Sequence, residues 1–499
     1  MSTEYGDDKQ MSTGTLFQLR RLDIRALHKT WFAFFLTFFV WFNMAPLATT
    51  IMKASHISTA QLKLLFICNV ALTAPGRVIV GMLTDRFGPR KAFSIIMILL
   101  AIPCFAFAFS TSYTQMLISR LILSLVGTGF VVGIHMTSLW FKPRDIGFAQ
   151  GVEAGLGNWG SSIAAMLMPV IALNLFGGEN GWRYGIALSG GIMLAYGIFY
   201  WFSITDGPPG SKYHRPKRGA AIEVSTWADM INAMAWTVPT VGILAVLVWK
   251  IKRMGLMSTG AATVAYIIIG LVVLYQLIQI YRVNRPILNK GVPEDDKYRF
   301  WDVGCLCMSY IACFGAELGV VSMLPMFFQK TFTLTPQTAG FVGSFFAFTN
   351  FFARPLGGFI SDRVPSRRWA HLITLAGITA GFILMGLVGS TSLIVAAIVV
   401  VLTALSVMSC EGTTFALVPL VKRRITGQVS GYVGSYGNVG AISFLTAYTF
   451  VSDSQFFFVI GGTALVTFLF CLFMLREPAG AFEKEYQLSS VDRAMMKED

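Results

Sequence analysis

Long apolar stretches alternate with short polar connectors along almost the whole chain. A typical stretch, residues 31–52, is long enough to cross about 30 Å of hydrocarbon as a helix. The apolar runs are continuous rather than interleaved with polar positions, which excludes a membrane β-barrel. The pattern predicts six helices in each of two halves, near 31–52, 62–84, 92–110, 115–140, 148–176 and 183–204, and near 303–328, 338–361, 370–389, 391–420, 427–451 and 455–475.

Two more apolar stretches, near 233–250 and 261–281, lie between the halves. We favour a transmembrane hairpin. The alternative is an interfacial hairpin, because Lys250, Lys252 and Arg253 at the tip of a hairpin that crosses the membrane would lie on the outside, against the usual charge bias. The predicted divisions are a cytoplasmic N-terminal tail at 1–30, a six-helix bundle at 31–205, a central cytoplasmic loop at 206–302 with the hydrophobic hairpin at about 233–281, a second six-helix bundle at 303–476 and a cytoplasmic C-terminal tail at 477–499.

Composition and charge support a multi-pass membrane protein. The chain is 55% hydrophobic and only 13% charged, about half the charge of a soluble protein. Its basic residues collect in alternate connectors, which places both termini in the cytoplasm and the chain in the plasma (inner) membrane. The net charge of +14 is therefore loop charge, and we expect no nucleic-acid partner. The seven cysteines all lie in apolar segments and are interpreted as buried thiols rather than metal ligands.

Each half contains one arginine inside an apolar helix. In both halves this arginine precedes a glycine by four residues and an Asp-Arg pair by eight. The two sets are Arg77, Gly81, Asp85 and Arg86, and Arg354, Gly358, Asp362 and Arg363. A charge near the bilayer centre is costly and is usually functional. Two equivalent arginines therefore predict a site for a small anion between the halves.

A second repeat supports this interpretation. Gly151, Gly157, Asn158 and Gly160 recur 280 positions later as Gly431, Gly437, Asn438 and Gly440. Repeated halves are how alternating-access transporters are built, with the site at their interface. Dense glycines also serve close helix packing alone. The asparagines are the functional candidates, because an amide can donate to an anion without adding a full charge.

The motifs resemble those of a known family. Gly81-Met82-Leu83-Thr84-Asp85-Arg86-Phe87-Gly88-Pro89-Arg90-Lys91 resembles the loop signature of the major facilitator superfamily, and a looser copy has Pro365 in place of Gly88. The glycine-rich stretches resemble the nitrate signatures of the nitrate/nitrite porter family, and residues 34–47 resemble its first helix. The long central insert resembles that of the assimilatory bacterial permeases. The implied fold is all-α and polytopic, with two pseudo-symmetric six-helix bundles and an extra helical hairpin.

This resemblance implies nitrate, and also nitrite, as substrates. Arg77 and Arg354 match the family's substrate arginines, and Asn158, Asn438, Gly157 and Gly437 lie in its signatures. A guanidinium is planar and permanently charged, which suits a planar anion better than an ammonium does. Phe38 and Phe42 are expected to stack above the anion. We expect the empty site to carry +2 and the filled site +1, so that substrate draws the halves together.

The loop signature implies a conformational lock rather than a binding site. Its members are Asp85, Arg86 and Arg90 in the first half and Asp362 and Arg363 in the second. An aspartate there can accept from arginines and from a helix N-terminus, holding one face closed.

Uptake of an anion against an inside-negative potential costs about 2.3 kcal/mol per charge per 100 mV, so another ion must move with it. Glu317, Glu411 and His135 are the candidate proton carriers, because burial disfavours the charged form of a carboxyl group. An ion pair with an arginine is the alternative role for each carboxylate, and Glu153 is interpreted as structural. Proton symport is the leading hypothesis and nitrate/nitrite antiport the alternative.

Other functions are less well supported. An organic-phosphate exchanger would also use paired arginines, but the paired Gly-Asn stretches argue against it. The five histidines are scattered and no nucleophile-plus-base grouping is visible, so we expect no enzyme. A sensor would need a signalling domain. We expect no cofactor or metal, a monomer, and nitrate, nitrite, protons and the lipid bilayer as partners.

Overall fold

A computed structural model describes residues 13–141, 143–209, 221–422, 425–477, 489–491 and 493, without some side chains in these ranges. The described part is helical and contains no strand, which confirms the all-α prediction. The first half consists of α1 (Leu22–Phe42), α2 (Ala48–Ala54), α3 (Thr59–Ala71), α4 (Thr73–Phe87), α5 (Pro89–Ala108), α6 (Tyr113–Leu123), α7 (Gly129–Trp140), α8 (Pro143–Val170) and α9 (Gly181–Ser203).

The central hairpin consists of α10 (Trp227–Gly242), α11 (Leu244–Arg253) and α12 (Thr259–Lys290). The second half consists of α13 (Phe300–Tyr310), α14 (Ala316–Phe332), α15 (Pro336–Phe348), α16 (Asn350–Arg363), α17 (Arg367–Val388), α18 (Leu393–Val421), α19 (Thr426–Tyr448) and α20 (Asp453–Met474). Twelve helices within the described residues are long and apolar enough to cross a membrane, and two of them form the hairpin.

The first helix begins earlier than its hydropathy predicts. It starts at Leu22 rather than near residue 31, with an ion pair of 2.7 Å between Arg21 and Asp23 at its first turn. Polar residues in that turn lower the hydropathy without breaking the helix. The predicted single span then divides at a 3₁₀ turn around Pro46, where the missing amide hydrogen interrupts the helical ladder.

Several spans are interrupted near their middle. The two arginine-bearing spans break at Leu72, between α3 and α4, and at Thr349, between α15 and α16. Pro75 removes a helical donor after the first break, and the Thr349 hydroxyl bonds back to the Phe346 carbonyl at 2.8 Å at the second. Each break comes five residues before its arginine, so both guanidinium groups start from equivalent positions. Broken helices of this kind line the substrate sites of transporters.

The two halves pack against each other crosswise. Helix α8 of the first half lies against α15 and α16, while α19 of the second half lies against α3 and α4. The Ser162 hydroxyl bonds to the Ser344 carbonyl at 3.1 Å, and the Ser435 hydroxyl bonds to the Ala74 carbonyl at the same distance. Each asparagine-bearing helix therefore contacts the arginine-bearing span of the other half.

The hairpin runs alongside α19. The Tyr436 hydroxyl donates to the Trp236 carbonyl at 2.6 Å, and the Lys250 ammonium reaches the Thr449 hydroxyl at 2.8 Å near the far end of α19. The outer helix α12 packs on α10 and α11 and is apolar but largely exposed. The hairpin thus contacts a bundle helix along its length and has an apolar outer face, and its crossing of the membrane stays a prediction.

Two carboxylates occupy matching positions at the end of each bundle. The Asp206 carboxylate accepts from the Arg90 backbone amide at 2.7 Å, at the N-terminus of α5. The Glu477 carboxylate accepts from the backbone amides of Arg367 and Arg368 at 2.9 and 3.1 Å, at the N-terminus of α17. A carboxylate at a helix N-terminus is stabilised by free amides and the helix dipole. These contacts connect the end of the last helix of each half, α9 or α20, to the first turn of α5 or α17.

The predicted lock residues are only partly described. The side chains of Asp85 and Asp362 lie outside the described residues. Arg86 and Arg363 are exposed and lie over the rings of neighbouring phenylalanines. The described acceptor at the N-terminus of α5 is Asp206, the first residue of the central loop that the sequence predicts.

Candidate functional site

Arg77 is fully buried and bonds only to backbone among its described hydrogen-bond partners. Its Nη1 donates to the Gly434 carbonyl at 2.6 Å, and its Nε and Nη2 each lie 3.4 Å from the Gly127 carbonyl. Gly127 lies in the 3₁₀ turn Ser124–Thr128, where the fourth span of the first half is interrupted. Carbonyl dipoles satisfy the donors but do not neutralise the charge. Arg77 therefore keeps its positive charge. It lies at the interface between the halves, because Gly434 belongs to the other half.

Arg354 differs because it has a carboxylate partner. Its Nη1 forms a buried ion pair of 2.6 Å with Glu411, and its Nη2 donates to the Tyr310 hydroxyl at 3.1 Å. The predicted charge of +2 for the empty site is therefore wrong when Glu411 is ionised, because the carboxylate already offsets one guanidinium. The two halves share a scaffold but not their electrostatics.

One phenylalanine ring joins the two arginines. The guanidinium carbons of Arg77 and Arg354 lie 5.0 and 5.5 Å from the centre of the Phe130 ring. Phe314 stacks on Phe130 and lies 4.9 Å from the Arg77 guanidinium. The separation of the two guanidinium groups cannot exceed the sum of their distances to Phe130. The structure thus brings the predicted pair together, over rings whose faces favour cations.

The aromatic residues nearest the arginines are not the predicted ones. Phe38 contacts Phe34, and the centre of the Phe34 ring lies 5.8 Å from that of Phe130. Phe42 contacts Phe38 and is therefore further from Phe130 along the chain of contacting rings. Phe130 and Phe314 escaped sequence reasoning because the chain has 42 phenylalanines. The available signal was their position next to glycines at interrupted helices.

The two asparagines have unsatisfied polar atoms. Asn438 donates to the Gly434 carbonyl at 3.3 Å, sharing this acceptor with Arg77, and its Oδ1 has no partner. Asn158 is fully buried, and neither atom of its amide has a hydrogen-bond partner. Buried polar groups are normally satisfied, so an amide left open at the interface is suited to a ligand.

Gly157 and Gly437 have a packing role. A Cβ at Gly157 would overlap the Phe34 ring, and one at Gly437 would overlap the Phe314 ring. Both rings contact Phe130. The glycines therefore allow matching aromatic residues of the two halves to approach the same central ring.

Two of the predicted proton carriers lie side by side. The Asn350 amide donates to Glu317 Oε1 at 2.6 Å, and the carboxyl group of Glu317 lies near that of Glu411. Glu317 Oε2 and Glu411 Oε1 have no hydrogen-bond partner among the described residues. Adjacent carboxyl groups are favoured when they share a proton, so this pair is suited to binding one next to Arg354.

The other titratable candidates form no described hydrogen bond or ion pair with Arg77 or Arg354. His135 is half-buried on α7 and is not among the described contacts of the arginines or of the Glu317–Glu411 pair. Glu153 is fully buried against Gly133, and neither of its carboxyl oxygens has a hydrogen-bond partner. Among the described residues, no group of three or more histidines, cysteines or carboxylates could hold a metal ion.

Comparison with known proteins gives consistent matches. The chain matches the Major Facilitator Superfamily over residues 30–445 and 306–489. It is 40% identical to the nitrate/nitrite transporter NrtP of a Picosynechococcus species, over 93% of this chain and 95% of that protein. The NrtP of Nostoc punctiforme is 39% identical, over 93% and 94%. The high affinity nitrate transporter 2.5 of Arabidopsis thaliana is 25% identical, over 90% and 78%.

Solved structures share the fold. The D-xylose-proton symporter superposes with a TM-score of 0.62 at 14% identity, over 91% of this chain and 98% of that chain. A peptide transporter, POT, in complex with sulfate superposes with a TM-score of 0.61 at 16% identity, over 90% and 94%. The predicted fold is therefore confirmed.

The close packing around the central ring gives a stability prediction. Gly437→Ala places a methyl group against Phe314 and should destabilise the protein by about 1–3 kcal/mol, as overpacking does. Gly431→Ala, in the same helix, meets nothing within 4 Å and should be neutral or slightly stabilising. Thermal unfolding of the two variants in detergent measures the difference, and equal melting temperatures would contradict the packing role.

Proposed function

Because the chain belongs to the Major Facilitator Superfamily and, within it, to the family of the NrtP nitrate/nitrite transporters, we propose that it takes up nitrate, and also nitrite, by proton-coupled alternating access. The family consists of transporters, so the chain is not an enzyme. The observation that carries the proposal is the convergence of Arg77 and Arg354, one from each half, on the Phe130 ring. We place the protein in the plasma (inner) membrane as a monomer with both termini in the cytoplasm.

The proposed substrate site lies around Arg77, Arg354 and Phe130. A planar anion can accept paired hydrogen bonds from a guanidinium and lie against an aromatic ring. At Arg77 it replaces neutral carbonyl acceptors with a full negative charge, which strengthens each bond. The unpartnered Nδ2 of Asn158 supplies a further donor, and the Nδ2 of Asn438 has a second N–H besides the one that it gives to the Gly434 carbonyl. A bound anion thus links the halves through groups that each half contributes.

Proton coupling is proposed to occur at Arg354. An anion that bonds to Arg354 competes with Glu411, which lies only 2.6 Å away. The released carboxylate takes up a proton, shared with Glu317, and so remains neutral in the low-dielectric interior. One anion and one proton enter the site together without a change in its net charge. Competition for a single guanidinium thereby couples the two ligands.

The two carboxyl groups also set the possible driving force. A single proton per anion makes transport electroneutral, so only the pH gradient drives it. Where Glu317 is also ionised before uptake, it binds a second proton, which adds one positive charge and recovers about 2.3 kcal/mol per 100 mV from an inside-negative potential. Two adjacent sites are thus sufficient for accumulation against that potential.

Nitrate/nitrite exchange remains the second candidate. Arg77 lacks a carboxylate partner among its described contacts, and a site with an uncompensated charge reorients more readily when an anion fills it. An exchanger would bind anions through the Arg77 charge alone, and Glu411 would stay paired with Arg354 during the whole transport cycle.

Asp206 and Glu477 hold the first turns of α5 and α17 in matching positions at the proposed cytoplasmic ends. Both contacts lie within one half, so each half keeps them while it moves against the other half during alternating access.

The arginine site predicts a specific loss of binding. Arg77→Lys and Arg354→Lys should each lower nitrate affinity by about 100-fold, the loss of two hydrogen bonds between charged groups. Scintillation proximity binding of labelled nitrate to the purified protein, with nitrite and phosphate as competitors, measures it. Wild-type affinity in both variants would rule out the site, and stronger competition by phosphate than by nitrite would rule out the substrate.

Arg120→Lys is the matched control. Arg120 is also fully buried, but it bonds to Asn43 at 3.0 Å and to the Trp41 carbonyl at 2.7 Å, within the first half. Its substitution should lower thermal stability and leave nitrate affinity within about twofold, because only packing is lost.

The carboxylate pair predicts a change in pH dependence. Glu411→Gln removes the competing charge, so nitrate binding should tighten and lose its dependence on pH, while uptake driven by a pH gradient stops. Glu317→Gln should alter the pH profile of uptake with less effect on affinity. Proteoliposome uptake between pH 5 and 8 (about the range in which coupled carboxylates titrate) measures both. Glu179→Gln, at an exposed position, is the control, and wild-type profiles in both test variants would exclude the pair from coupling.

A further inference from the structure

The second half contains a buried polar cluster around His371 that the proposed site does not use. His371, on α17, is fully buried within the bundle. Its Nε2 lies 2.8 Å from the Ser309 hydroxyl, and its Nδ1 lies 2.9 Å from the Thr413 hydroxyl. A hydroxyl both donates and accepts, so each ring nitrogen can hold or release a proton without losing its hydrogen bond. Ionisable groups inside a membrane are usually functional.

On one side the cluster leads to the carboxyl pair. Thr413 follows Glu411 by two residues on α18, and its hydroxyl donates to the Cys410 carbonyl at 3.0 Å. The Cys410 thiol lies beside both the His371 ring and the Cys313 thiol, and Cys313 in turn lies near the Glu411 carboxyl. The Cys313 and Cys410 thiols are therefore the polar groups nearest both to the Glu411 carboxyl group and to the Thr413 side of the His371 ring.

On the other side the cluster leads to the end of the bundle. The Ser309 hydroxyl lies 3.4 Å from the Cys471 thiol, and that thiol contacts the Cys305 carbonyl at 3.6 Å. One turn earlier, the partly exposed Asp302 accepts from the Arg476 backbone amide at 3.2 Å. Asp302 and Arg476 mark the end where α20 leaves the bundle, next to the Glu477 contact.

The groups facing the His371 ring are hydroxyls and thiols. The thiols are Cys410 from α18 and Cys471 from α20, with Cys305 of α13 and Cys313 of the π-helical turn Ile311–Gly315 behind them. The hydrogen bonds of the ring go to the Ser309 and Thr413 hydroxyls, and no described carboxylate, lysine or arginine bonds to it. Because a hydroxyl bonds to each nitrogen, the ring is able to pass a proton in either direction.

We propose that His371 relays protons between the Glu317–Glu411 pair and the cytoplasmic end of the second half. A proton from Glu411 is passed on by the Cys313 and Cys410 thiols, each of which takes up one proton and releases another, to the Thr413 hydroxyl. The proton that this hydroxyl held against the Cys410 carbonyl then turns to Nδ1. As that N–H bond forms, the N–H bond at Nε2 breaks and its proton passes to Ser309, which releases one toward Asp302. The ring is neutral before and after, and one proton has moved. This relay rests on the proposed proton coupling and gives it an exit path separate from that of the anion.

The test separates proton movement from anion binding. In proteoliposomes, labelled-nitrate counterflow measures exchange without net proton movement, while a trapped pH dye measures proton entry during uptake driven by a pH gradient. His371→Gln keeps hydrogen-bonding groups at the site but cannot relay a proton. We expect binding and counterflow within about twofold of wild type, and proton-coupled uptake slower by about 100-fold, the low end of a lost proton-transfer group.

Two variants of the residues that flank His371 distinguish a lost proton relay from a folding defect. Thr413→Val and Ser309→Ala each remove one hydroxyl and leave the histidine, and each should slow coupled uptake by about tenfold or more with binding intact. His28→Gln is the matched control. The His28 ring is also bonded at both nitrogens, to the Leu16 carbonyl and the Trp31 indole, each at 2.8 Å, but it leads to no such cluster.

The outcomes are distinct. Normal coupled uptake by His371→Gln would overturn the relay and leave the proposed function standing. Loss of binding and counterflow in His371→Gln, with normal uptake in both flanking variants, would also overturn it by assigning the ring a structural role. Absence of proton entry in the wild type would instead overturn the coupling itself, and the relay with it.

Discussion

The ion pair between Arg354 and Glu411 is the interaction on which the account depends. It holds two opposite charges 2.6 Å apart in a fully buried position, where an unpaired charge would cost several kcal/mol. Its counterpart in the first half, Arg77, has only carbonyl oxygens and aromatic rings around it. The duplicated scaffold is therefore electrostatically asymmetric. In our proposal the first half supplies a fixed anion anchor and the second half supplies the exchangeable proton.

This asymmetry rests on a symmetric frame. Equivalent helix breaks at Leu72 and Thr349 give the arginines equivalent positions in the two halves, and the crosswise contacts of α8 and α19 bring each asparagine-bearing helix to the opposite half. The glycines of both helices make room for Phe34 and Phe314 against the Phe130 ring. Small residues and broken helices thus cost local stability but create a polar junction inside an apolar protein.

Repeats in the sequence were sufficient to predict the fold and the convergence of the arginines, because duplicated halves impose equivalent positions on equivalent residues. The asymmetric features could not be predicted this way. Glu411 is 57 residues from Arg354, and only the packing of α18 on α16 makes them partners. Phe130 is one of 42 phenylalanines, and its signal in the sequence is limited to the neighbouring Gly129. Asp206 looks like a loop residue until its contact with α5 is seen. Hydropathy also misplaced the start of α1, because polar residues can occupy a helical first turn.

Proton uptake on anion binding tests the central claim most directly. In weakly buffered detergent solution with a pH indicator, adding nitrate to the purified protein should draw protons from solution, close to one per bound anion where Glu411 is ionised in the empty protein. By linkage, the apparent affinity should rise as the pH falls. Full-strength nitrate binding without proton uptake, at every pH tested, would show that the anion does not displace Glu411 and would contradict the account.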